Sequence, residues 1–357
     1  MSKRAWATAL GFAVLVAVYT GIRLPSRWVV TLQALSITDG IHRRFVVGTL
    51  LRPLALATGQ SYWLYVAFTF AVLIALFVLI VRAALRAEPA RGMIVIGWLF
   101  VMGGFAWNEA GNLDQTVYLL VAGGLALAHA GRLKSAAVIF AIAPMVHELA
   151  VLSALPVAAA VLVRNRAPKT TALVLAPAVA IAAVILLQPP TPIETIADIH
   201  RSLASAHFPI REGALDLFVR TQAESWELYS TWHGIEAVAP WTLTCMIATV
   251  LVQRDWSPIV VLASLAAIFT PLLLVYGGWD NNRWQLFTVT NFAIVMWASY
   301  DQLKPRAPVI LAIALLVLMR LPILWLDVKS RPLSIDGITY LAGDLSSGTF
   351  FNIPTAY

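Results

Sequence analysis

Residues 61–81 read SYWLYVAFTFAVLIALFVLIV, without a single charge. A helix of that length rises about 30 Å, the thickness of the hydrocarbon core of a bilayer. Similar apolar blocks recur in both directions along the chain. They occupy 5–22, 61–81, 92–107, 116–130, 135–147, 149–163, 170–188, 238–253, 257–277, 284–300 and 307–327. Across all 357 residues 60% are apolar and only 12% charged, where a soluble domain runs near a quarter charged. A water-soluble fold could not cover so large a core with so few charges. The blocks predict an all-α, polytopic integral membrane protein with about 11 transmembrane helices. Residues 1–327 form one membrane domain in this reading, and 328–357 an extracytoplasmic tail.

The chain carries 25 Lys and Arg against 18 Asp and Glu, a net charge of +7. The basic residues form no stripe that would suit a nucleic acid. They fall in short gaps between blocks, where they set topology. With the N-terminus inside, Lys3, Arg4, Arg82, Arg86, Arg91, Arg132, Lys134, Arg164, Arg166, Lys169, Arg254, Lys304 and Arg306 are cytoplasmic. Of the 18 acidic residues only Glu88, Asp255 and Asp301 share that side. Acidic residues do not set topology, so their bias points to function. The expected location is a bacterial inner membrane. Lys3 and Arg4 before block 5–22 read as an uncleaved first span, because Arg23-Leu24-Pro25 follows it rather than a small-x-small site. The lone Cys245 excludes an intrachain disulfide or a CxxC site, and no phosphate-binding GxxxxGK[ST] occurs.

Two long outer loops are expected, 23–60 and 189–237, with short surface helices over 193–206 and 214–232. Block 135–163 is too long for one span and short for two. Basic flanks at Lys134, Arg164 and Arg166 favour two short helices meeting at Pro144–Glu148, and one tilted span is the alternative.

Five stretches hold ionisable residues that a membrane chain must account for. In the first loop Asp39, His42, Arg43, Arg44 and Arg52 lie close together. Thr38 or Asp39 reads as the cap of a helix beginning at Gly40, with Arg43 as the partner of Asp39. Asp39 also reads as a general base beside a guanidinium clamp for phosphate. Glu109 and Asp114 flank a tight turn, which suits either a helix dipole or sugar hydroxyls. His147-Glu148 lies about 20 Å into a block from Lys134, where an ionised carboxylate needs a cavity or a partner. The residue four after His147 is Val151, so this is no HExxH zinc site. Trp279, Asp280 and Arg283 sit at another helix entrance. Arg320 repeats the depth of His147, either snorkelling or meeting an anion. Glu224 with Glu227, and His233 with Glu236, read as solvated helix faces. Trp226, Tyr229 and Trp232 suit sugar stacking or a membrane surface.

The motifs Asp39-Gly40-x-x-Arg43-Arg44-x-x-x-Gly48-x-Leu50, Asp114-x-x-x-Tyr118, His147-Glu148 with Pro156 eight on, and Asp280-x-x-Arg283-Trp284 resemble the polytopic exopolysaccharide and O-antigen polymerase-like proteins. Those are similar in turn to membrane glycosyltransferases that use lipid-phosphate sugar donors. The resemblance implies transfer of a sugar from a polyprenyl-phosphate-type lipid to a glycan or lipid acceptor at the periplasmic face. In that class an acid in the first outer loop is catalytic, which maps to Asp39; the paired-acid form of the motif is absent. The roles expected are base or relay for Asp39, Asp114, His147 and Glu148, and phosphate contact for Arg43, Arg44, Arg283 and Arg320. Glu109, Trp279 and Asp280 are expected to bind sugar. No cofactor or metal ligand set is assigned, and a divalent metal fits the class. Partners are membrane lipids and the lipid-linked sugar, without nucleic acid. A transporter or flippase for an anionic lipid-linked sugar, or a non-catalytic subunit of a glycan machine, is the alternative.

Overall fold

Proline, which has no N–H to leave unsatisfied, opens the helices Pro89–Trp98, Pro168–Leu186 and Pro258–Phe269 at their first turns. Ser26 opens Arg27–Ala34 by accepting the Val29 N–H at 3.4 Å. The computed structural model describes residues 3–40, 43–220, 224, 227, 231–278, 280–321, 323–325 and 328–330. Among these, the chain is helical apart from a two-stranded antiparallel pair, Ile323–Trp325 with Val328–Ser330.

Seven helices among the described residues are long and apolar enough to cross a bilayer. They are Lys3–Gly21, Tyr62–Arg86, Pro89–Asn108, Glu148–Asn165, Pro168–Leu186, Trp232–Val252 and Pro258–Tyr276. The chain is a multi-pass membrane protein, with seven such helices rather than the eleven expected. The other four blocks differ for two physical reasons. Blocks 116–130, 135–147 and 307–327 become Asp114–His129, Leu133–Val146 and Ala307–Arg320, with only 16, 14 and 14 residues. The last stops at Arg320 and gives way to the strand pair. Block 284–300 becomes Asn281–Ala298, which has 18 residues but opens on Asn-Asn-Arg. This polar helix is wrapped by protein instead: Asn282, Arg283, Gln285, Thr288 and Asn291 are all buried.

Block 135–163 is broken as the first of its two readings has it. Leu133–Val146 ends at His147, whose backbone is extended, and a 3-10 turn over Glu148–Val151 leads into Ala154–Asn165. The first of the two long loops, 23–60, carries Arg27–Ala34, a 3-10 turn over Ile37–Asp39, and Phe45–Ala57. The second carries Ile193–Ser205 and Glu212–Asp216. Trp226, Tyr229, His42 and the tail 331–357 lie outside the described residues.

The first helix crosses Pro89–Asn108 at small residues, the way membrane helices gain close packing. A Cβ added to Gly103 would come within 2.7 Å of the Ala17 Cβ, and one on Gly21 would drive into the Gly104 carbonyl oxygen. Gly21→Ala should therefore cost about 1–3 kcal/mol of stability in detergent-solubilised protein. Gly11→Ala in the same helix meets nothing within 4 Å and should be neutral or stabilising. Equal thermal midpoints for the two variants would remove this crossing from the fold.

Where Pro89–Asn108 nears its end, residues Leu99–Gly103 take a π-helical turn. Such turns re-aim the side chains that follow, and here those are Trp107, Asn108 and Glu109.

Candidate functional site

Five helix ends meet at one end of the bundle. Arg44 precedes Phe45–Ala57, Glu109 follows Pro89–Asn108, and Asp114 begins Asp114–His129. His147 and Glu148 occupy the break after Leu133–Val146, and Asp280 and Arg283 begin the polar helix. The turn between Glu109 and Asp114 is pinned from two sides. The Gln115 amide donates to the Ala106 and Glu109 carbonyls at 3.2 and 3.0 Å, and the Gln33 amide to the Gly111 carbonyl at 2.8 Å. Gly111 takes φ 93°, open to glycine at no steric cost.

The charged groups form one continuous array. Arg44 grips Glu148 through two guanidinium nitrogens, Nε to Oε2 at 3.0 Å and Nη2 to Oε1 at 2.5 Å, with side chains 13% and 8% exposed. Arg283 grips Asp114 in the same forked way, Nε to Oδ2 at 2.9 Å and Nη2 to Oδ1 at 3.1 Å. Its third nitrogen, Nη1, donates to Asp280 Oδ2 at 2.5 Å. The guanidinium carbon also lies 5.4 Å from the Trp284 ring centroid, within cation–π range.

His147 joins the two halves. Its Nε2 lies 3.2 Å from Arg283 Nη2, and its Nδ1 lies 3.2 Å from Glu148 Oε2. A guanidinium can only donate, so Nε2 must be the acceptor. The Leu149 backbone N–H also reaches Nδ1, at 3.3 Å, so Nδ1 stands between a backbone donor and the Glu148 carboxylate.

Glu109 is held differently. Its Oε2 accepts the Asn112 amide at 2.7 Å and its Oε1 the Asn282 amide at 3.3 Å, with no guanidinium in direct contact. Burial first, then the Asp280 carboxylate, pushes the Glu109 carboxyl up to about 7 against the pull of Arg283. A raised carboxyl favours folding fully only below the ordinary glutamate range, and that contribution is lost as pH rises to about 7. On the same helix Asn281 Oδ1, Asn282 Oδ1, Gln285 Oε1 and Thr288 Oγ1 are buried atoms without a hydrogen-bond partner among the described residues, and Asn282 is the one that reaches Glu109. Deeper still, Tyr118 donates to Asn291 Oδ1 at 2.8 Å, and the Asn291 amide donates to the Ser153 and Ala267 carbonyls.

Most of the residues expected at a site converge here: Arg44, Glu109, Asp114, His147, Glu148, Asp280 and Arg283. Asp39 takes another place. Its Oδ2 accepts the Ser36 N–H at 2.9 Å and the Ser36 hydroxyl at 2.8 Å, and its Oδ1 lies 3.9 Å from Arg52. It is the third residue of a capping box that Ser36 opens on Ile37–Asp39, so it caps no helix at Gly40, and Arg52 rather than Arg43 is the cation beside it. Arg43 is half-buried beside Arg44 and makes no ion pair among the described residues. Arg320 is exposed in the last turn of its helix, where the dipole favours a cation, so it leaves the expected anion group. Trp279 lies outside the described residues. His233 and Glu236 pair at 3.5 Å on an exposed face, as the solvated reading has it. Asn112 and Asn282, which orient Glu109, were missed; the Asn281-Asn282-Arg283 run inside an apolar stretch was their signal.

Among the described residues no group of three or more His, Cys, Asp and Glu side chains is arranged to hold a metal ion. No family model, no curated protein and no solved structure matches the chain.

Proposed function

We propose that the chain is a glycosyltransferase or glycan polymerase of the bacterial inner membrane, drawing its sugar from a polyprenyl-phosphate-type lipid at the periplasmic face. The observation that carries this reading is Glu109. It is a carboxylate lifted to about 7, held by two amides and bordered by Asn282 Oδ1, a buried acceptor without a partner among the described residues. A proton-accepting group works best with a pKa near the operating pH, and buried orphan acceptors suit the hydroxyls of a sugar. The motif resemblance supports the same class of donor.

In this reading an acceptor hydroxyl oxygen attacks the anomeric carbon of the donor sugar and gives its proton to Glu109. The bond from that carbon to the phosphate oxygen breaks, and polyprenyl phosphate leaves with the electron pair. Arg43, which makes no ion pair among the described residues and adjoins Arg44, meets the leaving phosphate. Arg44 and Arg283 are already paired, and their work is to hold Glu148, His147 and Asp114 in place. The base is therefore Glu109 rather than Asp39.

One observation favours the transporter alternative: the Arg44 and Arg283 guanidiniums are both already paired with carboxylates, which suits a protein that binds and releases without chemistry. Purified protein incubated with a polyprenyl-phosphate-linked sugar and acceptor separates the two. Consumption of the donor with appearance of free polyprenyl phosphate supports the enzyme. Movement of intact donor across proteoliposomes, with none consumed, replaces it by the transporter.

A further inference from the structure

A cleft opens at the other end of the polar helix, away from the charged array. Arg283 and Tyr300 are 17 positions apart, which separates the two ends by about 25 Å at the helical rise. The cleft has a volume of about 550 Å³ and lies between Pro89–Trp98, the polar helix and Ala307–Arg320. Its wall is almost wholly apolar, with Met93, Val289, Phe292, Met296, Leu311 and Leu315 among its lining residues, while Tyr300, Asp301 and Lys304 stand at its mouth. From Val289 to Tyr300 it runs about 16 Å along the helix, close to the thickness of one leaflet's half of the hydrocarbon core.

The mouth is basic. The Arg91 guanidinium is fixed there by the Trp297 carbonyl, at 3.1 Å from Nε and 2.7 Å from Nη2, and by the ring faces of Trp297 and Tyr300 at 5.0 and 5.9 Å. Its one carboxylate neighbour, Asp301, lies 3.5 Å away and is 78% exposed. Lys304 and exposed Arg306 follow in the chain, and Lys304 Nζ donates to the Leu251 carbonyl at 3.3 Å, with no carboxylate paired to it among the described residues. Of the charged residues Lys304 and Asp301 line the slot itself, while Arg91, in contact with Tyr300 and Asp301, and exposed Arg306, next to lining Pro305, add positive charge beside its entrance. Basic pockets between membrane helices take anionic headgroups, and charge at the surface contributes about 1 kcal/mol per Lys or Arg.

We propose that this cleft binds one anionic phospholipid, its phosphate on Lys304 and Arg91 and an acyl chain along Val289–Met296. The site is separate from the charged array and rests on neither functional reading.

The test is native mass spectrometry of the full chain in detergent, titrated with palmitoyl-oleoyl phosphatidylglycerol or with the matching phosphatidylcholine. The expected result is retention of one phosphatidylglycerol in preference to phosphatidylcholine. Lys304→Gln, an accessible change that leaves the backbone bonds intact, should cut that preference about fivefold. Ala293→Phe, which fills the slot, should abolish retention of both lipids; should it fail to fold, Leu311→Trp serves instead. Equal retention of the two lipids by the unaltered chain overturns the proposal, as does unchanged binding in the filled variant. A chain that pairs with a second copy through this cleft and excludes lipid also overturns it.

Discussion

Arg283→Met is expected to lower folding stability by about 3–5 kcal/mol. The guanidinium is 7% exposed and holds Asp114, itself 5% exposed, through two nitrogens while a third reaches Asp280. Removing it leaves a carboxylate buried with no countercharge, and that penalty rather than the value of the pair sets the size of the effect. His147 Nε2 loses its donor in the same step. Arg283→Lys keeps the charge but cannot fork across both Asp114 oxygens, so it should recover only part of the loss. Arg283→Met with Asp114→Leu removes both charges and should return most of the stability. Thermal unfolding in detergent, followed by intrinsic fluorescence, measures all three. A single Met variant within about 1 kcal/mol of the parent would mean that Asp114 is solvated and the pair is not buried.

Glu109→Gln should abolish most of the proposed transfer, with a fall of about 10²–10⁴-fold in turnover and little change in expression, since general-base catalysis contributes on that scale. The amide keeps the shape but cannot take a proton, and one of its own N–H groups faces the donors Asn112 and Asn282. The pH profile carries independent information. With the carboxyl raised to about 7, the base is protonated and idle in acid, so turnover in the parent protein should climb through about pH 7 and level off above it. Asp39→Asn should leave that rising limb in place, because Asp39 is occupied with Ser36 and Arg52. Full turnover in Glu109→Gln, or a profile flat from pH 6 to 8 in the parent, would remove Glu109 as the proton acceptor.

Hydrophobic blocks were legible because a bilayer imposes one length on any helix that crosses it. Their number was not, because hydropathy does not tell a lipid-facing helix from one wrapped in protein. Asn281–Ala298 is the instructive case: Phe287, Val289 and Val295 make it look like a span, yet Asn282, Gln285 and Asn291 survive in it because other helices surround them. His147 and Glu148 stood out on cost alone, since an ionised carboxylate deep in an apolar block must find a partner. Which partner was beyond reach. Arg44 lies 104 positions away, and nothing local distinguishes it from Arg43, its immediate neighbour. Asp39 failed in the opposite direction. Three arginines follow within 13 residues, and the choice among them turned on a 3-10 turn that places Ser36 under the carboxylate and Arg52 beside it.

The central claim is that side chains from distant stretches gather into one buried array, and a double-mutant cycle on Arg44 and Glu148 tests it most directly. Unfolding free energies of Arg44→Met, Glu148→Leu and the double variant would be measured in one detergent. The structure predicts a coupling of at least about 1.5 kcal/mol, with the double variant more stable than the sum of the singles implies. Effects that simply add, to within about 0.5 kcal/mol, would place the two residues apart and contradict the array.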